Sequence, residues 1–203
     1  MRLRFIISQF SYSCPIALLG LRRSVFQVLI PPERVAASRF TISLLQTLRY
    51  SQVMHISLES PNQTEVRQLI EALDAYQKPL YPAESHHGID IAALSAPNVF
   101  FAVTRDERGQ AVACGAIVVE ANYGELKRMY TNPVHRGKGI ARAILCFLEA
   151  AAQEKGCSLF VLETGYLQPE AIALYARCGY ERCSPFGEYV EDPNSVFMRK
   201  NLT

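Results

Sequence analysis

Eight residues, Asn132-Pro133-Val134-His135-Arg136-Gly137-Lys138-Gly139, separate a β-prone run ending at Thr131 from an amphipathic helix opening at Ile140. No other feature limits the fold of this chain as much. Ile140, Ala143, Ile144, Phe147, Leu148 and Ala151 follow the i, i+3, i+4, i+7 rule, so a helix over Ile140–Lys155 must bury one face. Gly156 sits where its C-terminal cap belongs. Ahead of the helix, Gly137 and Gly139 let the main chain turn tightly and approach a ligand with no Cβ in the way. The helix mouth presents unpaired N–H groups and the positive end of the dipole, and Arg136 and Lys138 add charge. This is the chemistry of a diphosphate cradle, although an ordinary strand-to-helix turn has the same glycines. A nucleotide-hydrolase P-loop is excluded, because Lys138 is followed by Gly139 and not by Ser or Thr. The dinucleotide fingerprint is excluded too, since the third glycine is missing and the motif lies late in the chain.

The surrounding pattern is regular from Met54 onward. His55–Leu58 alternates as a short strand, and Val66, Leu69, Ile70 and Leu73 place a helix after Pro61-Asn62-Gln63-Thr64. A Pro- and Gly-marked loop, 81–88, precedes a short helix around Ile89–Leu94. Val99–Thr104 and Ala111–Val119 read as a hairpin joined through Arg105–Gln110. Strands follow at Glu125–Thr131 and Leu159–Glu163, then a helix at Pro169–Cys178 and strands at Tyr180–Cys183 and Ser195–Arg199. The expected fold class is α/β (α+β): a sandwich around a mixed, mostly antiparallel sheet of six or seven strands with four helices.

Residues 1–53 differ. They carry seven Arg, one acidic residue (Glu33) and no Lys, leaving 14 basic and 18 acidic residues for 54–203. Their apolar runs are cut by Pro15, Pro31, Pro32 and five of the arginines, so none reaches the ~18–20 residues a spanning helix needs. Arg-rich, acid-poor composition is that of an organelle transit peptide, with a weaker secretory reading in Met1–Ile7. The expectation is that 1–53 lies outside the fold, as a transit-like leader or an upstream start, and that 54–203 is the working domain. A net charge of +2 argues against a dedicated nucleic-acid binder. The six cysteines contain no C-x-x-C pair, which points to reduced thiols and a cytoplasmic protein. No metal is expected, because His and Cys never fall at ligand spacing.

Arg136-Gly137-Lys138-Gly139-Ile140-Ala141 resembles the R/Q-x-x-G-x-G/A signature of the GNAT superfamily of acetyl-CoA-dependent acyltransferases. The block from Pro169 to Tyr180 is similar to the family's A-x-x-L-Y-x-x-x-G-[FY] pattern, and the likeness covers essentially all of 54–203. Within the superfamily, Gly124-Glu125, Leu162–Gly165 and the stretch Pro185–Met198 resemble the bacterial YsnE-type acetyltransferases. Some of these carry the label indole-acetate acetyltransferase, although that compound's carboxylate and indole N–H are poor nucleophiles beside an amine.

The resemblance implies direct acetyl transfer from acetyl-CoA to a primary amine of a small molecule. Main-chain groups of Met129, Tyr130 and Thr131 would pair with the pantetheine arm and polarise the thioester. Amides of Arg136, Gly137, Lys138, Gly139, Ile140 and Ala141 would hold the diphosphate. Gln168 stands where many members have Asn, and would reach the pantetheine with a longer side chain. Tyr175 matches the tyrosine that protonates the departing thiolate. An alkyl amine of pKa ~10.4 arrives protonated, so a base is expected. Glu125 is the first choice, because period-2 geometry puts Glu125, Lys127, Met129 and Thr131 on one face of the thioester's strand, and histone-acetylating members place a glutamate there. Glu163 is the second.

Glu84, His86 and His87 occupy the loop that shapes the acceptor pocket in this superfamily, and Tyr123, Tyr166, Phe186 and Tyr189 are candidates for its aromatic wall. Cys178 and Cys183 have no partner set for covalent catalysis and are read as packed thiols. The partners expected are acetyl-CoA and a small amine, with no nucleic acid, no membrane, and a homodimer left open. A CoA-sensing module without turnover and a protein lysine or N-terminal acetyltransferase are the alternatives.

Overall fold

The structure, a computed structural model, describes residues 18–22, 25–29 and 53–202. In chain order its elements are β1 (Leu18–Arg22), β2 (Val25–Leu29), β3 (Val53–Leu58), α1 (Thr64–Gln77), α2 (Ile91–Leu94), β4 (Val99–Arg105) and β5 (Ala111–Val119). There follow β6 (Gly124–Thr131), α3 (Ile140–Gln153), β7 (Leu159–Gly165), α4 (Pro169–Arg177), β8 (Glu181–Arg182) and β9 (Ser195–Asn201). The strands form one sheet in the order β1-β2-β3-β4-β5-β6-β7-β9-β8. Every pairing is antiparallel except β6 with β7.

Seven strands and four helices come from residues 53–202, as the expected fold class requires. Two more strands come from the stretch ahead of Met54, where the sequence shows no sustained period. β2 pairs with β3 from Val25↔Ser57 to Leu29↔Val53. Pairing at a sheet edge is made by backbone groups, which need no side-chain alternation to bond. The rest of the reading of 1–53 falls outside the described residues.

Alternation along the central strands sends side chains to two cores. Ala102, Ala113 and Ile117 face α3, whose Ile140, Ile144 and Leu148 pack with Leu126, Phe160 and Leu162. Phe101, Val103, Cys114 and Ala116 face the other way, against Val66, Leu69 and Ile70 of α1 and Leu94 of α2. Ile144, Leu145 and Leu148 are wholly buried, each contributing about 1.5–3 kcal/mol. Arg105 fixes the start of α1: its guanidinium meets Glu59 at 2.8 Å and Glu65, in the first helical turn, at 2.6 Å. Among the described residues no helix is long and apolar enough to cross a membrane.

Candidate active site

The parallel pair at the centre of the sheet is short. β6 and β7 are joined only from Gly124↔Phe160 to Leu126↔Leu162. Beyond Leu126 the strands part, while β6 continues along β5 to Thr131 and β7 along β9 to Gly165. The cause lies in β6. Lys127 pairs with Ala116 but Tyr130 with Cys114, so one extra residue is inserted, and Arg128 takes a φ of 55°. A bulge of this kind bends the strand and increases its twist. The left-handed conformation costs a non-glycine residue about 1–3 kcal/mol, offset here by fixed contacts. Arg128 Nε donates to the Ile89 carbonyl at 2.9 Å, and the guanidinium is ion-paired with Asp74 of α1. Gly88 leaves room beside it: a Cβ there would lie 2.7 Å from Nη2, so the guanidinium would have to shift.

The bulge corrects the expected face. Glu125 and Lys127 sit on the α1 side, but Met129 is turned toward α3, where it packs on the core. Its sulfur occupies the space over Gly115, 2.3 Å from where a Cβ would stand. Strict alternation of Glu125, Lys127, Met129 and Thr131 fails because the extra residue reverses the parity of the strand.

Between the parted strands lies a cleft of about 520 Å³. Its walls include Leu126–Met129 of β6, Glu163–Gly165 of β7, Gln168 and Tyr175, and its rim is made by Tyr81, Ser85, His86, His87 and Asn194. Tyr81 closes over the end of β7, where a Cβ on Gly165 would meet its hydroxyl at 2.1 Å. That hydroxyl accepts the Leu167 amide at 3.0 Å. Asn194 Nδ2 donates to Ser85 Oγ at 3.1 Å, tying the 83–88 loop to the segment ahead of β9.

The two candidate carboxylates stand differently. Glu125 pairs with Lys127 Nζ at 2.8 Å and accepts the Tyr189 hydroxyl at 2.7 Å. Lys127 in turn donates to the His87 carbonyl at 3.1 Å and to Tyr189. Glu125 is neutralised, and it is Lys127, not Glu125, that reaches the cleft wall. Glu163 lines the cleft, accepts one hydroxyl bond, from Ser195 at 2.7 Å, and has no cation paired with it among the described residues. Burial raises its pKa above the ordinary carboxylate value, outweighing the lowering by the Ser195 hydroxyl and by the charges of His87 and Lys127.

Tyr175, on α4, lines the same cleft and is 7% exposed. Burial pushes its phenol well up, so it remains protonated and able to donate. Gln168 is buried beside the Tyr81 hydroxyl, and its Nε2 makes no hydrogen bond of good geometry; Thr131 Oγ1 is also buried and unpartnered.

At the mouth of α3, Gly137 and Gly139 both adopt φ of +77° with open space where a Cβ would point. The first amide to find an intrahelical acceptor is that of Ala143, which bonds the Gly139 carbonyl at 3.0 Å. The amides of Gly137 to Ala141 are left to face outward. Arg136 departs from expectation. Its amide is taken by the Pro133 carbonyl at 3.2 Å, and its guanidinium bonds the Thr131 carbonyl at 3.1 Å between the rings of Tyr76 and Tyr130. A short turn through Pro133–His135 consumes the amide, so the open cradle begins one residue later.

Other candidates are relocated. Tyr123, Phe186 and Tyr189 form edge-to-face contacts at 5.6 and 5.0 Å, continued by Tyr189 on Phe197 at 5.4 Å, a stack outside the cleft lining. Tyr166 instead meets Tyr81 at 6.2 Å. Glu84 is exposed and off the cleft wall. Burial raises the Cys183 thiol and pushes Cys114 up to about 12, which suits packed thiols. Sequence reasoning gave no site role to Tyr81, Asn194 and Ser195, whose contacts join distant segments, whereas the pairing of Lys127 with Glu125 lies two residues apart on one strand.

The orphaned Gln168 and Thr131 groups, with the open amides of α3, fit a long ligand that brings amides to the cleft and phosphate to the helix. A mixed sheet that parts between two parallel strands, beside a glycine-mouthed helix, defines the N-acyltransferase class of fold. Residues 65–180 match the acetyltransferase (GNAT) family, and the chain belongs to that family. It is 47% identical over 149 residues to an IAA acetyltransferase of Azospirillum brasilense, covering 72% of this chain and 97% of the relative. The uncharacterized N-acetyltransferase YsnE of Bacillus subtilis is 33% identical over 152 residues, covering 73% of this chain and all of the relative (100%). A solved Klebsiella pneumoniae protein, described as an acyl-CoA N-acyltransferase, superposes with a TM-score of 0.63 at 40% identity, covering 73% of this chain and 97% of the other. The chain is thus an enzyme, an N-acetyltransferase of this family.

Proposed function

We propose that the enzyme transfers acetyl from acetyl-CoA directly to the primary amine of a small molecule, with Glu163 as base and Tyr175 as acid. The observation that carries this is the cleft itself, which brings an unneutralised carboxylate, a protonated phenol and an orphaned amide together where the parallel strands part. Acetyl-CoA supplies the activated acyl group. Gln168 Nε2 holds its pantetheine arm, the amides of Gly137, Lys138, Gly139, Ile140 and Ala141 hold its diphosphate, and the main chain around Met129 and Tyr130 orients the thioester. Fixed donors of this kind need no reorganisation as charge develops.

Glu163 takes the proton that an ammonium acceptor must lose, and burial, which raises its pKa above the ordinary carboxylate value, makes it the stronger base. Tyr175 delivers a proton to the departing thiolate and is restored by the second proton, which the nitrogen sheds on becoming an amide. Glu125 serves instead to hold Lys127 and Tyr189 in place. A small acceptor is favoured because Tyr81 and the Ser85–Asn194 contact cross the acceptor end of the cleft.

Thiol release from acetyl-CoA tests this, with a panel of alkyl and aralkyl amines, amino acids, lysine peptides and IAA. Glu163→Gln and Tyr175→Phe are expected to lose about 100-fold in kcat with the best amine, and Glu125→Gln to keep most of it. If acetyl-CoA raises the melting temperature yet no acceptor releases CoA, the chain is a sensing module. A preference for lysine peptides would make it a protein acetyltransferase.

A further inference from the structure

One buried cluster of ionisable side chains takes no part in the chemistry derived so far. Glu149, on α3, is only 7% exposed, and both of its oxygens are taken. Oε1 accepts the Tyr180 hydroxyl at 2.8 Å, and Oε2 is paired with Lys200 Nζ, from β9, at 2.7 Å. The same ammonium lies over the Tyr180 ring, 5.6 Å from its centre. Burial and the Glu149 charge push the Tyr180 phenol well above its ordinary pKa, so it stays the donor. Taking a carboxylate and an ammonium out of water is costly, and apolar side chains of similar volume often hold such a place equally well. Stability alone therefore does not account for the cluster.

Its geometry leads to Tyr175. Beyond α4 the chain turns at Gly179, whose φ is 91°. The Gly179 amide bonds the Ala176 carbonyl at 3.1 Å, and the Tyr180 amide bonds the Tyr175 carbonyl at 3.0 Å. These are the two bonds of a helix cap in which the residue after the glycine packs back on the last turn. Here that contact joins two tyrosines, Tyr175 and Tyr180, edge to face with ring centres 5.8 Å apart. The Lys200 stem covers the same turn, since a Cβ on Gly179 would stand 3.8 Å from its Cε. Tyr175 is thus seated on a ring whose hydroxyl is anchored to α3. Glu149 joins the helix with the open amides at its mouth to the helix that carries the phenol of the cleft.

We propose that Tyr180 is a positioning residue for the transfer: held by Glu149 and Lys200, it fixes the Tyr175 phenol relative to α3 and so relative to the departing sulfur. The inference rests on the reading of Tyr175 as acid. Tyr180 is 3% exposed, stands behind the cleft lining and acts through Tyr175. A phenylalanine would fill the same space in the core. What the hydroxyl adds is a fixed placement of the ring on which Tyr175 rests.

Two measurements decide it, on Tyr180→Phe, which removes the anchor, and on Glu149→Gln, which keeps an acceptor for the phenol but loses the charge paired with Lys200. The first needs no amine. In protein carrying ¹³C at the tyrosine ζ carbons, the Tyr175 signal, assigned with Tyr175→Phe, is expected to shift when CoA is added to wild type. In Tyr180→Phe that shift should fall to about half or less, with CoA affinity near wild type. An equal shift in the two proteins overturns the positioning role and leaves Tyr175 as acid untouched. No shift in wild type overturns the acid assignment, and the inference goes with it. The second uses the panel amine that turns over best. Tyr180→Phe is expected to lose roughly 10-fold in kcat with both KM values near wild type, and Glu149→Gln to lose less. In a Tyr175→Phe background, Tyr180→Phe should cost nothing further, because no hydroxyl is left to place. A loss that multiplies with that of Tyr175→Phe, or one carried by KM, would show that Tyr180 only packs the core.

Discussion

The hydroxyl of Ser195 donates to Oε1 of Glu163 across 2.7 Å, linking the first residue of the last long strand to the carboxylate in the cleft wall. Register explains the contact, since β7 and β9 pair antiparallel with Gly165 opposite Ser195 and Glu163 opposite Phe197. The hydroxyl stabilises the ionised carboxyl while burial disfavours it, and burial is the larger effect.

Removing that hydroxyl shifts the balance further. In Ser195→Ala the pKa of Glu163 rises above its already raised value, so the acidic limb of the kcat/KM profile moves to higher pH. Activity at the alkaline plateau is nearly unchanged, because the base itself remains. A pH–rate series on both proteins, at saturating acetyl-CoA, reads the shift.

Glu163 also sets a stability difference with a defined sign. Its folded pKa is raised, so the folded chain keeps a proton that the unfolded chain has already released. The stability attached to this group is fully present below the unfolded carboxylate pKa and is lost as pH rises through the folded one. Glu163→Gln keeps a neutral side chain throughout. It should therefore melt above wild type at pH 8, with the gap narrowing as pH falls toward 4, while its turnover is about 100-fold lower. Thermal unfolding across pH measures this directly.

Lys127→Met should be the most damaging single change near the cleft. Lys127 and Glu125 have side chains only 13% and 12% exposed, and removing one partner leaves a buried charge. Such losses cost about 3–5 kcal/mol. Denaturant unfolding should show that loss, and Lys127→Met with Glu125→Leu together should recover much of it. The acid limb of activity, being governed by Glu163, should survive in the double variant.

The mouth of α3 and the end of β7 have separable glycines. Gly139→Val places a β-branched residue at a φ of +77°, strained by about 1–3 kcal/mol, and crowds the open amides. Calorimetry with CoA should show binding weakened at least tenfold. Gly165→Ala drives its Cβ into Tyr81 and should raise the acceptor KM while leaving CoA affinity near wild type.

From Met54 onward the core and the element order were legible because they follow from local periodicity. The helix from Ile140, the β4–β5 hairpin and the glycine-mouthed turn each depend on residues within a few positions of one another, and the structure has them with boundaries shifted by only a few residues. Even the cradle was slightly misread at Arg136, whose amide is consumed by a turn that the Asn132-Pro133 pair starts.

The choice between Glu125 and Glu163 was not legible. Both lie on neighbouring strands, Glu125 after Gly124 and Glu163 after Leu162, and residue type alone assigns them the same chemistry. What separates them is a one-residue bulge at Arg128, held by Asp74 and Ile89 from distant segments, and a tyrosine 64 positions after Glu125 that fills its coordination. Sequence by itself determined that there would be two cores around a mixed sheet and a helix mouth open to phosphate, because hydrophobic period and backbone freedom act locally. Only the tertiary structure decided which carboxylate stands unpaired in the cleft, because charge pairing and desolvation depend on neighbours that the chain brings together from far apart.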